Sequence, residues 1–297
     1  MSEYPVKPRR TYHVLGVPLR SGSLYPGNEN DAQAYRDAQL LARLKAAGCE
    51  ASDDGDVSIP SYLPHHQVPP IRNWPGPRIA WDCVSERIAP CLQQPGHIPL
   101  LIGCDCSVVV GTTQALVRAA PKDVHVLYVD GDLDAAVPDP TRCHSAAAAA
   151  MWLLTHGSPF WAGPPLRPSQ VTAIGWNGAP ASEQMAAEQA GLGLLSLAEV
   201  RRLGVLAAAQ RTLEAIPASA SILVHFDIDV LRKQDMPAAY FPHIDGLSLP
   251  EAAELLGTLL RDPRIRIIEG AEFAALRDFD QAYARRLVDL LAEALKT

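Results

Sequence analysis

Short, β-branched apolar runs alternate with longer Ala/Leu-rich stretches along most of the chain. Apolar runs predict strands near Tyr12–Val17, Ile98–Gly103, Val124–Asp130, Val171–Trp176, Ile222–Ile228 and Ile265–Glu269, with a weaker one near Gly193–Leu195. Several of these runs are continuously apolar, as expected of parallel strands covered on both faces. Helical spacing predicts helices over Asp31–Ala47, Ser107–Ala119, Ser145–Leu154, Leu197–Ile216, Pro250–Leu260 and Asp278–Leu295. Gly204 is a candidate break in the fourth, and Pro250 suits a first helical position. Two proline-rich stretches, residues 59–78 and Ser158–Pro168, read as loops, because proline removes a backbone donor. Strand–helix repetition of this kind gives an α/β fold with right-handed crossovers. Strand patterns continue after both loops, so residues 1–297 read as a single domain: a three-layer α/β/α sandwich around a mostly parallel central sheet.

Composition narrows the function. The 297 residues are 48% hydrophobic and 20% charged, which is neither disordered nor coiled-coil. The net charge of −7, with no basic block, argues against nucleic-acid binding. No apolar run is long enough to span a membrane, and the N-terminus lacks a signal-peptide core, so a cytoplasmic location is expected. The six cysteines contain no CxxC pair and predict neither a disulfide framework nor a structural zinc site.

The chemistry collects at strand ends. VHVLYVDGDLDAAV places Asp130, Asp132 and Asp134 at alternate positions, and ILVHFDIDVL does the same with Asp227 and Asp229. In an extended segment, residues two apart share a face, and parallel sheets gather ligands at the carboxyl ends of strands. One Asp-x-Asp pair is commonly a turn or a cap. Two such clusters repel strongly and call for a compensating cation or raised pKa values. Oxygen donors suit Mn or Mg. At a third strand end, GCDCS leads into a helix. There Cys106 reads either as a soft metal ligand, favoured as thiolate by the helix N-terminus, or as a small buried residue, while Asp105 caps the helix.

Other motifs fit less well. An EF-hand loop over DGDLDAAVPDPT fails at Ala135 and Thr141, where glycine and glutamate are needed. A phosphatase-type Asp-x-Asp strand would make Asp130 the nucleophile and Asp132 the acid, but leaves the second Asp-x-Asp strand without a task. Neither G-x-G-x-x-G nor G-x-x-x-x-G-K-[ST] occurs.

Order and spacing resemble the ureohydrolases: arginase, agmatinase, formiminoglutamase and relatives. LGVPLRSGSLYPGNENDAQAYRDAQLLARL resembles the opening strand, glycine loop and first helix. GCDCS matches Gly-Gly-Asp-His-Ser, DGDLD matches Asp-Ala-His-x-Asp, and HFDIDVL matches Ser-Phe-Asp-x-Asp. DGLSLPEA resembles Gly-Gly-Leu-Thr-x-x-Glu, and EGAEF, with Glu272, the closing strand and its glutamate. The resemblance covers nearly the whole chain. It implies two Mn2+ ions per chain, with Fe, Ni or Zn as alternatives, sharing a bridging hydroxide that attacks the carbon of a linear guanidine or amidine and cleaves a non-peptide C–N bond. It also implies a homo-oligomer. Carried over, Cys106, Asp130, Asp134 and Asp227 hold one ion, and Asp132 and Asp229 hold the other, with Asp130 and Asp227 bridging. His144 takes the place of the proton-shuttling histidine, with a helix cap as its alternative. Glu251 takes the place of the glutamate that pairs the cationic substrate.

The departures matter. Both histidine ligands of the motifs are replaced, by Cys106 and Asp132; the first change resembles an atypical bacterial branch with Gly-Gly-Asp-Cys-Ser, and the second is the more unusual one. Five aspartates and one thiolate carry −6 against +4 from two divalent ions, where the usual four aspartates and two neutral histidines carry −4. Such a site binds cations better but weakens activation of bound water. His225 reads as a partner to a ligand carboxylate, or as a buried histidine bonded to backbone. Arg232 stands where an aspartate is usual and would answer the excess charge or meet an anionic substrate group. His65 and His66 read as loop residues near the entrance, and Trp176 as a strand-end residue facing the core or the pocket. A metal-dependent amidinohydrolase is thus the favoured function. A non-catalytic relative serving as a binding or regulatory subunit is the alternative, and a phosphatase-like enzyme comes third.

Overall fold

The computed structural model describes residues 10–22, 30–61, 65–120, 123–157, 159–161 and 163–296. The glycine loop of the opening motif, residues 23–29, lies outside the described residues. The strands are β1 (Thr11–Gly16), β2 (Glu50–Asp56), β3 (His97–Cys104), β4 (Val124–Val129), β5 (Val171–Ile174), β6 (Gly193–Leu195), β7 (Ser221–Asp227) and β8 (Ile265–Ala271). The helices are α1 (Asp31–Asp37), α2 (Leu40–Ala46), α3 (Gly76–Leu92), α4 (Val108–Ala119), α5 (Ala150–His156), α6 (Ala181–Ala190), α7 (Leu197–Leu203), α8 (Val205–Glu214), α9 (Leu249–Leu260) and α10 (Ala282–Leu295).

All eight strands run parallel, in the order β2-β1-β3-β8-β7-β4-β5-β6. Side chains alternate between faces as the pleat requires. Leu100, Leu127, Val129, Val224 and Phe226 meet α1, α2 and α7–α10 on one side. Leu101, Val126, Tyr128 and Leu223 meet α3, α4 and α5 on the other. The central strands are buried on both faces, which is why they read as unbroken apolar runs.

All seven strand expectations are present, and Gly204 interrupts the fourth helix as expected, between α7 and α8. The Asp31–Ala47 helix is two helices, because Gln39 takes a left-handed backbone with φ of 66°. Three elements had no apolar signature strong enough to predict them. Strand β2, EASDDGD, is an edge paired only to β1, and its acidic residues blunt that edge. Helix α3 begins inside the proline-rich stretch, with Pro77 in its first turn, and buries Ala80, Trp81, Val84 and Ile88 at helical spacing. Helix α6 is mostly exposed and buries only Ala187. No helix among the described residues is long and apolar enough to cross a membrane.

Candidate metal centre

Four neighbouring strands, β3, β8, β7 and β4, end side by side, and each delivers an acidic or thiol group just past its last residue. These are Cys106 after β3, Glu272 after β8, Asp227 and Asp229 at the end of β7, and Asp130, Asp132 and Asp134 after β4. All seven line one cavity of about 160 Å3. Ser145, Ala147, Ala148 and Phe241 complete its wall.

The carboxylates meet by turns rather than by strand alternation, which corrects the period-two expectation. Strand β4 stops at Val129, and the Asp130 carboxylate accepts from the Asp132 backbone N–H at 2.6 Å. Asp134 then takes a positive φ of 47°. After β7, Asp227 accepts from the Asp229 N–H at 2.7 Å, across a short 3₁₀ turn. The Asp229 carboxylate accepts from the Gly131 N–H at 3.0 Å and ties the two turns together. Tyr128 donates its hydroxyl proton to Asp134 at 2.6 Å. Glu272 also has a positive φ, 62°, so two wall residues hold uncommon backbone.

Burial, followed by neighbouring acids, pushes Asp130 and Asp227 well above the usual carboxylate range. Asp134 is also pushed well up by burial, against the Tyr128 hydrogen bond. Burial and Asp132 raise Asp229 to about 6. Burial raises Glu272 to about 7, with Arg20 opposing. The Cys106 thiol is likewise pushed well up by burial and then by Asp227. This corrects the thiolate expected from the helix N-terminus: with no cation, the proton stays on sulfur, and Sγ donates to Asp227 at 2.8 Å. Asp105 stands apart as a turn former, accepting from the Ser107 N–H at 3.1 Å.

His225 is fully buried, and its Nδ1 is 2.6 Å from Glu269, whose other oxygen accepts from the Thr112 hydroxyl. Its partner is therefore neither backbone nor a cluster carboxylate, as the sequence had suggested. With Nδ1 engaged by Glu269, the ring turns its Nε2 away from that carboxylate. That Nε2 has no hydrogen-bond partner among the described residues. His225 forms, with Cys106 and Asp130, a group whose ligand atoms are all within 4.8 Å of one another. A sulfur, several carboxylate oxygens and an orphaned imidazole nitrogen suit a divalent cation. Asp130, Asp227 and Asp229 form a second such group, and Cys106, Asp227 and Glu272 a third.

Three sequence candidates are not brought to the cavity wall. Glu251 closes a capping box at the start of α9, accepting from the Ser248 N–H at 2.8 Å and from its hydroxyl at 2.7 Å. The carboxylate at the wall is Glu272 instead. The Arg232 guanidinium pairs with Asp235 at 2.8 Å and neither answers the cluster's charge nor meets the cavity. His144 is half-buried beside the cavity segment, and its backbone is bonded to Pro70 and Arg72 of the proline-rich loop. The cap there belongs to its neighbour, since the Ser145 hydroxyl accepts from the Ala148 N–H at 3.1 Å. His65 and His66 lie in that same loop, and Trp176 packs against the core beside β5.

The cation that balances the wall is Arg20, 6% exposed. It donates to Asp31 at 2.6 Å, to Glu272 at 3.0 Å and to the Phe273 carbonyl at 2.7 Å, and it lies over the Tyr240 ring. In the sequence it is one arginine of the opening motif, with no local signal to mark it. Arg20→Lys keeps the charge but breaks the planar fork, and is expected to cost roughly 2 kcal/mol of stability. Urea unfolding checks this, and an unchanged midpoint would show the fork to be dispensable.

A model of the arginase family matches residues 10–296. Among curated proteins, the arginase of Bacillus subtilis is 23% identical over 292 residues, covering 96% of this chain and 98% of its own. Bos taurus arginase-1 is 25% identical over 261 residues, covering 80% and 77%. Among solved structures, arginase from Bacillus cereus is similar with a TM-score of 0.83 at 22% identity, over 97% of this chain and 99% of its own. Trypanosoma cruzi formiminoglutamase, solved with Mn2+, is similar with a TM-score of 0.77 at 20% identity, over 99% and 95%.

Proposed function

Because the chain belongs to the arginase family, we propose that it is a metal-dependent hydrolase that cleaves a non-peptide C–N bond of a linear guanidine or amidine. The observation that carries this reading is the cavity at four parallel strand ends, lined by carboxylates and a thiol, with the His225 imidazole at ligand spacing from two of them. Cys106, Asp130, Asp134 and Asp227 would hold one divalent ion and Asp132 and Asp229 the other, with Asp130 and Asp227 shared. Manganese and a homo-oligomeric assembly belong to the same proposal. When bound, such a pair supplies an activated water and a Lewis acid.

The chain's own residues do the rest. An acidic wall draws in a planar cationic head group and rejects anions. Glu272, held by Arg20 on one oxygen and by the Cys106 N–H on the other, is placed to accept from the substrate's N–H groups and fix its plane. Asp31 and Arg20 keep Glu272 from swinging away. Phe241, which lines the same cavity and is 68% exposed, would meet the remainder of the substrate.

The test is a screen of guanidines, amidines and formimino compounds for release of urea, ammonia or formamide by the Mn2+-loaded protein. Metal-dependent release that chelation abolishes is the expected result. Metal binding without any turnover would instead favour a non-catalytic relative, and Mg2+-dependent phosphate release would favour the Asp-x-Asp phosphatase.

A further inference from the structure

The loop between β7 and α9 brings a second imidazole to the centre. We propose that His243 is a direct ligand, through Nε2, to the ion held by Asp132 and Asp229. This rests on the metal-binding reading above and extends it to a residue outside the motifs.

Nε2 lies 3.5 Å from an Asp132 oxygen and 3.9 Å from an Asp229 oxygen. These are too long for directed hydrogen bonds, and Nε2 has no such partner among the described residues. They are the right size for a shared ion, because donors about 2.1 Å from one metal stand roughly 3–4 Å apart. The three ligand atoms all fall within 4.8 Å of one another.

The space around the ring has been cleared on both sides. A Cβ at Gly131 would sit 2.6 Å from His243 Cδ2, and a Cβ at Gly178 would sit 3.0 Å from Cε1. Those two carbons flank Nε2, so the glycines open the edge of the ring that faces the carboxylates. The ring is also held from behind. The His243 carbonyl accepts from the Lys233 N–H at 2.7 Å. Asp245, two residues on, forms a two-pronged pair with Arg201 at 2.7 Å and accepts at its carbonyl from the Asn177 side chain at 2.7 Å. Asn177 in turn donates its backbone N–H to the Gly131 carbonyl at 2.9 Å.

This geometry gives the sequence departure at Gly131–Asp132 a physical content. The resembled motif reads Ala-His at these two positions. Here the histidine has become Asp132, and the alanine methyl that would strike His243 has been deleted. The two changes amount to one exchange: an imidazole leaves the strand end and another arrives from the loop. A neutral nitrogen returns to a centre otherwise crowded with negative charge.

The experiment is Mn2+ titration of the intact protein, with calorimetry for affinity and elemental analysis for ions per chain. Wild type is expected to hold two. His243→Ala should weaken one of them at least tenfold, since even an outer-shell partner of a ligand is worth about 10–100-fold, and leave the other unchanged. Gly131→Ala, whose methyl would crowd both the ring and the Asp229 carboxylate, should weaken the same ion. Asp132→His in the His243→Ala background should restore the second ion, a rescue that a merely structural loop residue would not give. Two ions held at unchanged affinity by His243→Ala, or no rescue by Asp132→His, overturns the inference while leaving the metal-binding reading intact. A wild-type protein that binds no Mn2+ overturns both.

Discussion

Asp227→Ala is expected to strip the bound ions and lower hydrolysis by about 10³-fold or more, because the metal's share of transition-state stabilisation is several kcal/mol and each 1.36 kcal/mol is tenfold. The site concentrates on this residue. One Asp227 oxygen meets the Cys106 sulfur at 2.8 Å, and the other accepts from the Asp229 N–H at 2.7 Å. Asp227 also groups with Asp130 and Asp229 at ligand spacing. The fold should survive, since a carboxyl pushed well up by burial is not a stabilising charge in the metal-free protein. Glu251→Ala is the contrasting variant. It removes half of a capping box, costs about 1 kcal/mol of stability, and should leave metal content and turnover in place. Elemental analysis, circular dichroism and turnover on the best amidine read all three properties. Full metal content in Asp227→Ala would refute the assignment, and so would loss of activity confined to Glu251→Ala.

The metal-free protein should be distinctly more stable at pH 5 than at pH 8, and divalent metal should reverse the order. Glu272 titrates at about 7 in the fold against an ordinary 4.5, and Asp229 at about 6 against 3.8. Folding therefore holds these protons more tightly than the unfolded chain does. The stability they contribute is full below the ordinary values and is lost as pH rises through about 6 and 7. From pH 5 to 7, Glu272 alone is worth about 2 kcal/mol, below the limit of 1.36 kcal/mol per pH unit because it is partly titrated at both ends. Asp130, Asp134 and Asp227, pushed up by burial, add in the same direction. A bound divalent cation replaces the protons and adds stability by mass action, about 2.7 kcal/mol at a hundredfold excess over Kd. Thermal unfolding of chelated and Mn2+-loaded protein at the two pH values checks both halves. A chelated protein that melts higher at pH 8 would contradict the charge balance described here.

Much of the fold was legible because its causes are local. Parallel strands buried on both faces must be continuously apolar, so β3, β4, β7 and β8 announced themselves, and Gly204 marked a helix break. Strand β2 did not, because an edge strand needs only backbone pairing to β1 and carries the polar sequence EASDDGD. Helix α3 was hidden by prolines that its first turn tolerates. Within the centre, Cys106 and the five aspartates were legible because each stands at the end of a readable strand. Their alternate spacing in the sequence marks the right residues, but side-chain-to-backbone turns rather than strand alternation bring them together.

The sequence by itself determined the strand ends, hence which acids and which thiol crowd together, and the family to which that order belongs. Tertiary structure alone decided which glutamate faces the cavity: Glu272 is turned inward by a positive φ and held by Arg20, from more than two hundred residues away, while Glu251 serves its own helix. It also decided that His225 leans on Glu269 across two strands, and that His243 reaches Asp132 through a slot opened by Gly131 and Gly178. The reason is range. Hydrophobic period and turn chemistry act over a few residues and leave their mark in the local sequence. A ligand supplied by a distant loop depends on the absence of two methyl groups elsewhere in the chain, and no local pattern records that.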